Sequence, residues 1–565
     1  MITRHMANTT IPCRTCLTPF TDTDADRAFR KNIAPKIAGT MIDLPPPTLC
    51  VDCREQRRLA IANQLFLYKR TCDLTGEPII SNIHPDSPYK VYRQDVWHSD
   101  KWDPLSYGRD VDFSRAFFEQ WQELSLAVPR PNLFTGYQYD ENAEYTNHAG
   151  KNKDCYMIFD SDENRDCYYC YSINGSQNCM ECFRVRKSEL CYGCIDSLHC
   201  YNSVFLQDCE NCSDSAFLKN CTGCRNCLMS SNLKNKEYHV ENKKVTKVEF
   251  ERVRAMLTNR LAIDASRERF ERLSLEYPQK YLHGIQNENV LGDYLMNCKN
   301  AQYCFDSADL WDCRYVFQGF MPCKDTMDVQ ECGDAERVYE CAFVGYGANS
   351  IYYSTHILGS ASDIFYSAYC PHSKNLFGCL GLRHKEYCIL NKQYSKEEYE
   401  ALVPKIIEHM RRAGEWGEFF PIPLSYAAYN ETLAQDYYPL TKEEGTAKGY
   451  RWRESDPKTY APATAIVPDD IAETKDEIIQ EMFACASCKK NYRIIAQELA
   501  LYRQMRLPLP THCFECRLKE KRQKRNPRKL WDRKCGKCQK PIQTTYQPSR
   551  PEIVYCESCY LETVY

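Results

Sequence analysis

The sequence predicts a multidomain α+β protein. Two thin, cysteine-rich β-solenoid arms, each capped by a helix, are flanked at both termini by zinc-ribbon or treble-clef-like modules. Three observations lead there. Cysteines at the two ends come as Cys-x-x-Cys pairs, whereas those from 155 to 227 keep a spacing that is always a multiple of three. Two stretches, 235–251 and 384–400, match at a constant offset of 149 residues, and each closes one run of the three-residue lattice.

Composition sets the outer limits. A chain of 565 residues is long enough for several domains and a sizeable buried core. The formal net charge is −3, so any nucleic-acid or membrane partner has to be met by a local patch. No apolar run approaches the ~18 residues of a membrane helix. The opening "MITRHMANTTIPCRTC" lacks the apolar core of a secretion signal. The expected setting is a reducing cytoplasm, where cysteine serves as metal ligand or free thiol rather than disulfide. The 40 tyrosines suggest many half-buried strand surfaces.

The end pairs are Cys13/Cys16 with Cys50/Cys53, Cys485/Cys488 with Cys513/Cys516, and Cys535/Cys538 with Cys556/Cys559. Two thiolates two residues apart share one ion on a tight turn. Two such pairs complete a closed tetrahedral zinc site with no open position for catalysis. The gaps between partner pairs are 33, 24 and 17 residues, so about three zinc ions are expected. "PTLCVDCREQRR" (47–58) matches "PTHCFECRLKEK" (510–521). In both, the second pair opens a charged helical stretch, where the helix N-terminus favours thiolate charge.

The stretch 517–534 holds ten Lys/Arg against Glu520 and Asp532, a local charge of +8. Asn526-Pro527 should break any helix there. This stretch reads either as a solvated helix face or as a phosphate-binding surface built from Arg517, Lys519, Lys521, Arg522, Lys524, Arg525, Arg528 and Lys529. A weaker parallel follows the first module, with Arg54, Arg57, Arg58, Lys69 and Arg70.

From Cys155 to Cys227 every gap between cysteines is a multiple of three, and the other residues in that phase are small or aliphatic, apart from Asn164. Ligation would not require Ser, Leu and Val to keep the same phase, so this is an inward-facing track. It repeats every twelve residues: Cys167, Cys170, Ile173, Ser176, then Cys179, Cys182, Val185, Ser188. Four inward side chains per twelve residues imply a very thin solenoid, whose coil geometry resembles that of insect antifreeze β-solenoids. Its thiols read as small buried hydrophobes. The alternatives are extra metal at clusters such as Cys167, Cys170, Cys179 and Cys182, or redox and disulfide ladders.

The pattern returns as Ser307/Leu310/Cys313, Thr326/Val329/Cys332, Ala335/Val338/Cys341 and Ser373/Leu376/Cys379. Its phase slips by one residue between Cys313 and Cys323 and slips back after Cys341, which calls for a bulge or loop. Each arm ends in a capping box, Thr246 with Glu249 and Ser395 with Glu398. The helix that follows should cover an otherwise sticky coil end. Pro404 should kink the second helix. The middle thus reads as a tandem duplication.

The expected order is a zinc module (1–60), an α/β segment (61–140), a first solenoid (141–245) with its capping helix (246–285), and a second solenoid (286–394) with its helical cap (395–454). A linker (455–484), a zinc module carrying the basic stretch (485–534) and a last zinc module (535–565) complete the chain. Residues 112–129 read as a helix capped by Asp112 or Ser114 and stopped before Pro129. Cys72 lies outside both cysteine patterns and, with His84 or His98, is a candidate nucleophile.

"YKRTCDLTGEPIIS", "NKQYSKEEYEALVPKIIEHMRRAGEWGEFFP" and "TTYQPSRPEIVYCESCY" resemble an uncharacterised cysteine-rich, zinc-ribbon family of ultra-small uncultivated bacteria. Some of its members are labelled CaiB/BaiF. The resemblance runs nearly end to end and implies no activity. The sequence carries no P-loop, nucleophile elbow or H-E-x-x-H motif. The expectation is a non-enzymatic, zinc-stabilised scaffold that contacts nucleic acid through its basic modules. A protein-assembly scaffold using the solenoid faces, and an enzyme or thiol-redox protein, are the alternatives.

Overall fold

The fold is that of a computed structural model, which describes residues 9–564 except 38, 320–321, 332–334, 337–339, 343–361 and 455–459. Cys332 and Val338 of the second lattice, and the head of the expected linker, lie outside the described residues. The protein is a mixed helix and strand structure with many small sheets. Its segments assort into two compact units that do not follow chain order. One is Met1–Leu133 with Leu282–Glu454, the other Phe134–Tyr281 with Ser455–Tyr565. Among the described residues no helix is long and apolar enough to cross a membrane.

The second of these units is built on a parallel ladder in which residue i pairs with residue i+12. Lys153 pairs with Arg165, Tyr156 with Tyr168, Phe159 with Tyr171 and Asp162 with Asn174. The register holds to Leu228 with Val240. The residue before each inward position is left-handed, as at Asp154, Met157, Asp160, Glu163 and Asp166, with φ between 50° and 61°. One such residue in every three bends the chain four times per repeat. Asn and Asp tolerate this conformation better than other non-glycine residues, which accounts for their frequency at this register.

The inward track is buried from Cys155 to Leu233. Its chemistry explains why Cys and Ser alternate. The Cys167 Sγ lies 3.2 Å from the Arg165 carbonyl and 3.5 Å from that of Ser176. Ser161 Oγ donates to the Phe159 carbonyl at 2.7 Å and accepts the Ile173 N–H at 3.2 Å. Cys170 Sγ likewise accepts the Cys182 N–H at 3.4 Å. Either residue is small enough for the narrow core and carries one hydrogen for the carbonyl two residues back. Asn164, the exception in the track, donates to Asn152 Oδ1 at 3.0 Å and to the Ile173 carbonyl at 3.1 Å. Burial pushes the Cys167, Cys170, Cys194, Cys209 and Cys221 thiols up, so they stay protonated at neutral pH.

The four outward series of this ladder differ. Tyr156/Tyr168/Met180/Tyr192 and Phe159/Tyr171/Phe183/Ile195 are apolar. They are covered by Tyr502 against Tyr192, by Phe514 stacked on Phe159, and by Phe270 against the neighbouring Phe217. Lys153/Arg165/Gln177/Glu189 and Asp162/Asn174/Arg186/Leu198 are polar, with Arg165, Asn174 and Gln177 exposed.

The ladder of the other unit keeps the same pairing with local shifts. Lys299 pairs with Trp311, twelve residues on, but Leu310 pairs with Cys323 and Phe317 with Gln330, thirteen on. This is the one-residue slip between Cys313 and Cys323. A second irregularity lies between Leu291 and Gly292. Gly292 has φ 146°, and a Cβ there would lie 1.7 Å from the Cys304 carbonyl oxygen, so only glycine fits. The inward residues from Leu295 to Cys388 form one buried cluster. Burial pushes Cys298 up to about 11 and Cys304 and Cys370 up to about 12.

Each ladder closes with an antiparallel turn, Val240 opposite Lys243 and Ile389 opposite Lys392, followed by a helix. Thr246 caps Lys247–Ala255 by accepting the Glu249 N–H. Ser395 and Glu398 form the full capping box of Lys396–Arg412, which runs through Pro404 as one helix. The helix expected near 112–129 spans Phe117–Ala127. Neither Asp112 nor Ser114 caps it. The Glu415 carboxylate accepts the N–H groups of Phe117 and Phe118 at 2.8 and 2.9 Å. The described part of the expected linker is tied down, with Arg260 donating to the Pro468 carbonyl and Asn259 bridging to Asp470.

Candidate metal centres

Each cysteine quartet is assembled from a hairpin and a helix start. The first pair sits in the turn between Thr9–Pro12 and Pro19–Asp22, between Phe483–Ala484 and Asn491–Tyr492, or between Trp531–Lys534 and Pro541–Thr544. The turn is the same each time. Cys13, Cys485 and Cys535 donate their N–H to the carbonyl five residues on, at 3.0, 2.9 and 2.9 Å. Leu17, Lys489 and Gln539 are left-handed. The second pair opens the helices Val51–Leu59, Phe514–Gln523 and Glu557–Val564.

All four sulfurs of each quartet lie within 4.8 Å of one another. Sγ–Sγ distances are 3.7 Å for Cys16–Cys50, 3.6 Å for Cys488–Cys513 and 3.7 Å for Cys538–Cys556. A tetrahedron with Zn–S bonds of ~2.3 Å has edges of about 3.8 Å. Four thiolates in that geometry fit zinc and leave no position for substrate. Among the described residues no other group of three or more His, Cys, Asp or Glu ligand atoms comes this close, so the ladder thiols form no such cluster.

Electrostatics divides each quartet. Hydrogen bonding, foremost with Cys53, brings Cys50 down to about 5 and pushes Cys53 up. Burial pushes Cys485 and Cys535 up, but backbone N–H groups of their own turns and of Cys513 and Cys556 hold both at about 6. Neighbouring thiolates repel, and a dication is what allows all four to ionise together.

The basic residues behind the second pairs turn toward ladder carboxylates. Arg517, buried, lies 2.9 Å from Glu181 and over the Tyr169 ring. Lys521 lies 2.8 Å from Glu181, and Arg525 2.6 Å from Asp196. Arg522 covers the Tyr171 ring, and Lys524 approaches Glu520 and Glu271. Arg528 is buried, while Lys519 and Lys529 are exposed. Within the unit these eight side chains therefore do not form one open phosphate-binding face. The other unit repeats the plan, with Arg54 2.9 Å from Asp328 and over Tyr315, and Arg57 2.6 Å from both Glu340 and Glu418. Glu181, Asp196, Asp328 and Glu340 were missed in the sequence. Their only signal there is a carboxylate at a ladder position flanked by buried residues.

Glu181→Ala leaves the buried Arg517 guanidinium without its nearest carboxylate. It is expected to lower the stability of its unit by about 3–5 kcal/mol in denaturant unfolding, against less than ~0.5 kcal/mol for Lys519→Ala.

Burial pushes Glu498 up to about 7 against the pull of Arg517, and pushes Asp162 up to about 7. Both folded values lie above the ordinary unfolded ones near 4. The stability they contribute is full below pH ~4 and is lost as pH rises through about 7, by up to ~1.4 kcal/mol per pH unit for each group. In metal-saturated protein, Glu498→Gln should flatten the fall in unfolding free energy between pH ~5 and ~7.

Cys72 is buried. Its Sγ accepts the Arg93 N–H at 3.4 Å, while Arg453 bonds the His84 ring. Burial and Arg383 bring His98 down to about 4. Comparison of the chain with protein-family models and with curated proteins found no match.

Proposed function

We propose that the protein is a non-enzymatic, zinc-stabilised scaffold that assembles protein partners on the bare polar sides of two β-solenoid arms. The observation that carries this reading is the inward commitment of the basic helices. Arg517, Lys521 and Arg525 face Glu181 and Asp196, so the charge needed for a phosphate track is neutralised inside the unit. The sides left open carry both signs, as in Lys153, Arg165, Glu189 and Arg225, with exposed Tyr201 among them. Mixed-charge faces with an aromatic suit protein recognition better than a polyanion.

Several features support the finer elements of this reading. The constant twelve-residue register with four inward residues per repeat is the pattern of a solenoid. Arg54 with Tyr315 and Asp328 repeats Arg517 with Tyr169 and Glu181, which supports an internal duplication.

The test is cross-linking of the full chain in nuclease-treated lysate, with Arg165→Glu/Glu189→Arg/Tyr201→Ala as the face variant. The expected result is nuclease-resistant protein partners that the face variant loses while its zinc content is unchanged. Partners lost on nuclease treatment, with oligonucleotide binding that falls with salt at a log–log slope of about −3 to −4, would overturn it in favour of nucleic acid.

A further inference from the structure

The stretch 71–98 aligns without a gap to 534–561 at an offset of 463 residues, the same offset that relates Cys50 to Cys513. Cys72, Pro78, Ile79, Pro85, Pro88, Val91 and Tyr92 match Cys535, Pro541, Ile542, Pro548, Pro551, Val554 and Tyr555. The backbone agrees bond for bond. The hairpin pairs Tyr68 with Ser81 and Thr71 with Pro78, as Trp531 pairs with Thr544 and Lys534 with Pro541. Cys72 N–H donates to the Glu77 carbonyl and Gly76 N–H to the Cys72 carbonyl, both at 2.9 Å. The Cys535 turn has the same two bonds at 2.9 Å. Gly76, φ 73°, takes the left-handed place of Gln539. Asp73 N–H reaches the Val91 carbonyl as Gly536 N–H reaches that of Val554. Val91–Tyr92 pairs in parallel with Arg130–Pro131, as Val554–Tyr555 pairs with Gln279–Lys280.

The ligand positions are where the two part. Cys535, Cys538, Cys556 and Cys559 stand opposite Cys72, Thr75, Arg93 and Val96. We infer that residues 68–98 are a fourth knuckle on the plan of the 531–564 metal module, in which an ion-pair bridge through Arg93 has replaced the metal. An ion in such a module ties the hairpin turn to the helix start. Here Arg93, at the first helix-side ligand position, bonds Glu77 on the turn and Asp95 in the following helix. Its N–H meets Cys72 Sγ at 3.4 Å, matching Cys556 N–H to Cys535 Sγ at 3.3 Å. The Asp73 carboxylate adds a second tie by accepting the Val91 N–H at 2.6 Å. The thiol at the first ligand position keeps its hydrogen-bonded seat, and only three side chains separate this module from a tetrathiolate site.

The experiment is zinc analysis of the full chain. Wild type and Cys72→Ser should both hold three ions, the number of quartets among the described residues. Thr75→Cys/Arg93→Cys/Val96→Cys should hold one more, and adding Cys72→Ser should remove that gain. A folded triple variant that still binds three ions overturns the inference, as does a wild-type count that drops in Cys72→Ser. Arg93→Ala tests the bridge without new ligands. Faster amide exchange at Cys72–Tyr92 with an unchanged zinc count is expected, and unchanged exchange would overturn the role given to Arg93.

Discussion

Replacing Cys513 by serine is expected to release one metal ion per chain and to unfold the module around it, leaving the other two quartets loaded. Structural zinc contributes ~10–16 kcal/mol of apparent binding free energy in small modules of this kind, far more than the few short elements at 483–523 supply by themselves. The loss should spread. Phe514 lies on Phe159 and beside Tyr169, and Arg517 of the same helix holds Glu181. Unfolding the helix would bare two aromatic sides of the ladder and strand a buried carboxylate. Metal analysis should fall from three ions to two, with faster amide exchange around Tyr169–Phe183 and gain of a hydrophobic dye signal. Retention of three ions would exclude Cys513 as a ligand.

Cys182→Arg should unfold the ladder of its unit, whereas Cys182→Ser should cost about 1 kcal/mol. Cys182 is 1 % exposed, with Sγ 3.4 Å from the Cys191 carbonyl and 3.5 Å from that of Met180. A serine hydroxyl can donate to the same carbonyls, as Ser161 and Ser215 already do at 2.7 Å. A guanidinium has no room there and no counter-charge. Burying it uncompensated costs at least several kcal/mol, comparable to the whole stability of a domain. Urea unfolding of the three proteins orders them, and a well-folded Cys182→Arg protein would contradict the inward track. Native Cys182 should resist alkylating reagents until the ladder opens.

The parts of the fold legible beforehand share a physical basis. The inward phase from Cys155 to Cys227 could be read because the backbone repeats its own geometry every three residues, so side-chain direction is set locally. The caps at Thr246 and Ser395 are equally local, each a hydroxyl accepting an N–H three residues on. The cap of Phe117–Ala127 was not legible, because Glu415 lies almost three hundred residues away. Pro404 does not end its helix, which continues to Arg412 and keeps Tyr399, Val403, Ile406 and Met410 buried, so packing outweighs one missing hydrogen bond.

The candidate site divides in the same way. The sequence by itself determined the three cysteine quartets, because a Cys-x-x-Cys turn positions two sulfurs through a few backbone torsions and four thiolates then define the ion's geometry. It also determined which thiols stay out of those sites, through the phase they share with Ser, Leu and Val. Only the tertiary structure decided the fate of the charges. A lysine or arginine reads alike in a sequence whether it meets water, phosphate or carboxylate, since its long side chain carries no local constraint. Glu181 and Asp196 lie more than three hundred residues before Arg517 and Arg525, and ladder folding is what brings them together. The grouping of each knuckle with a ladder distant in sequence has the same cause. It follows from burying two apolar ladder sides under the helices that fit them, a requirement of area and shape that spacing along the chain does not encode.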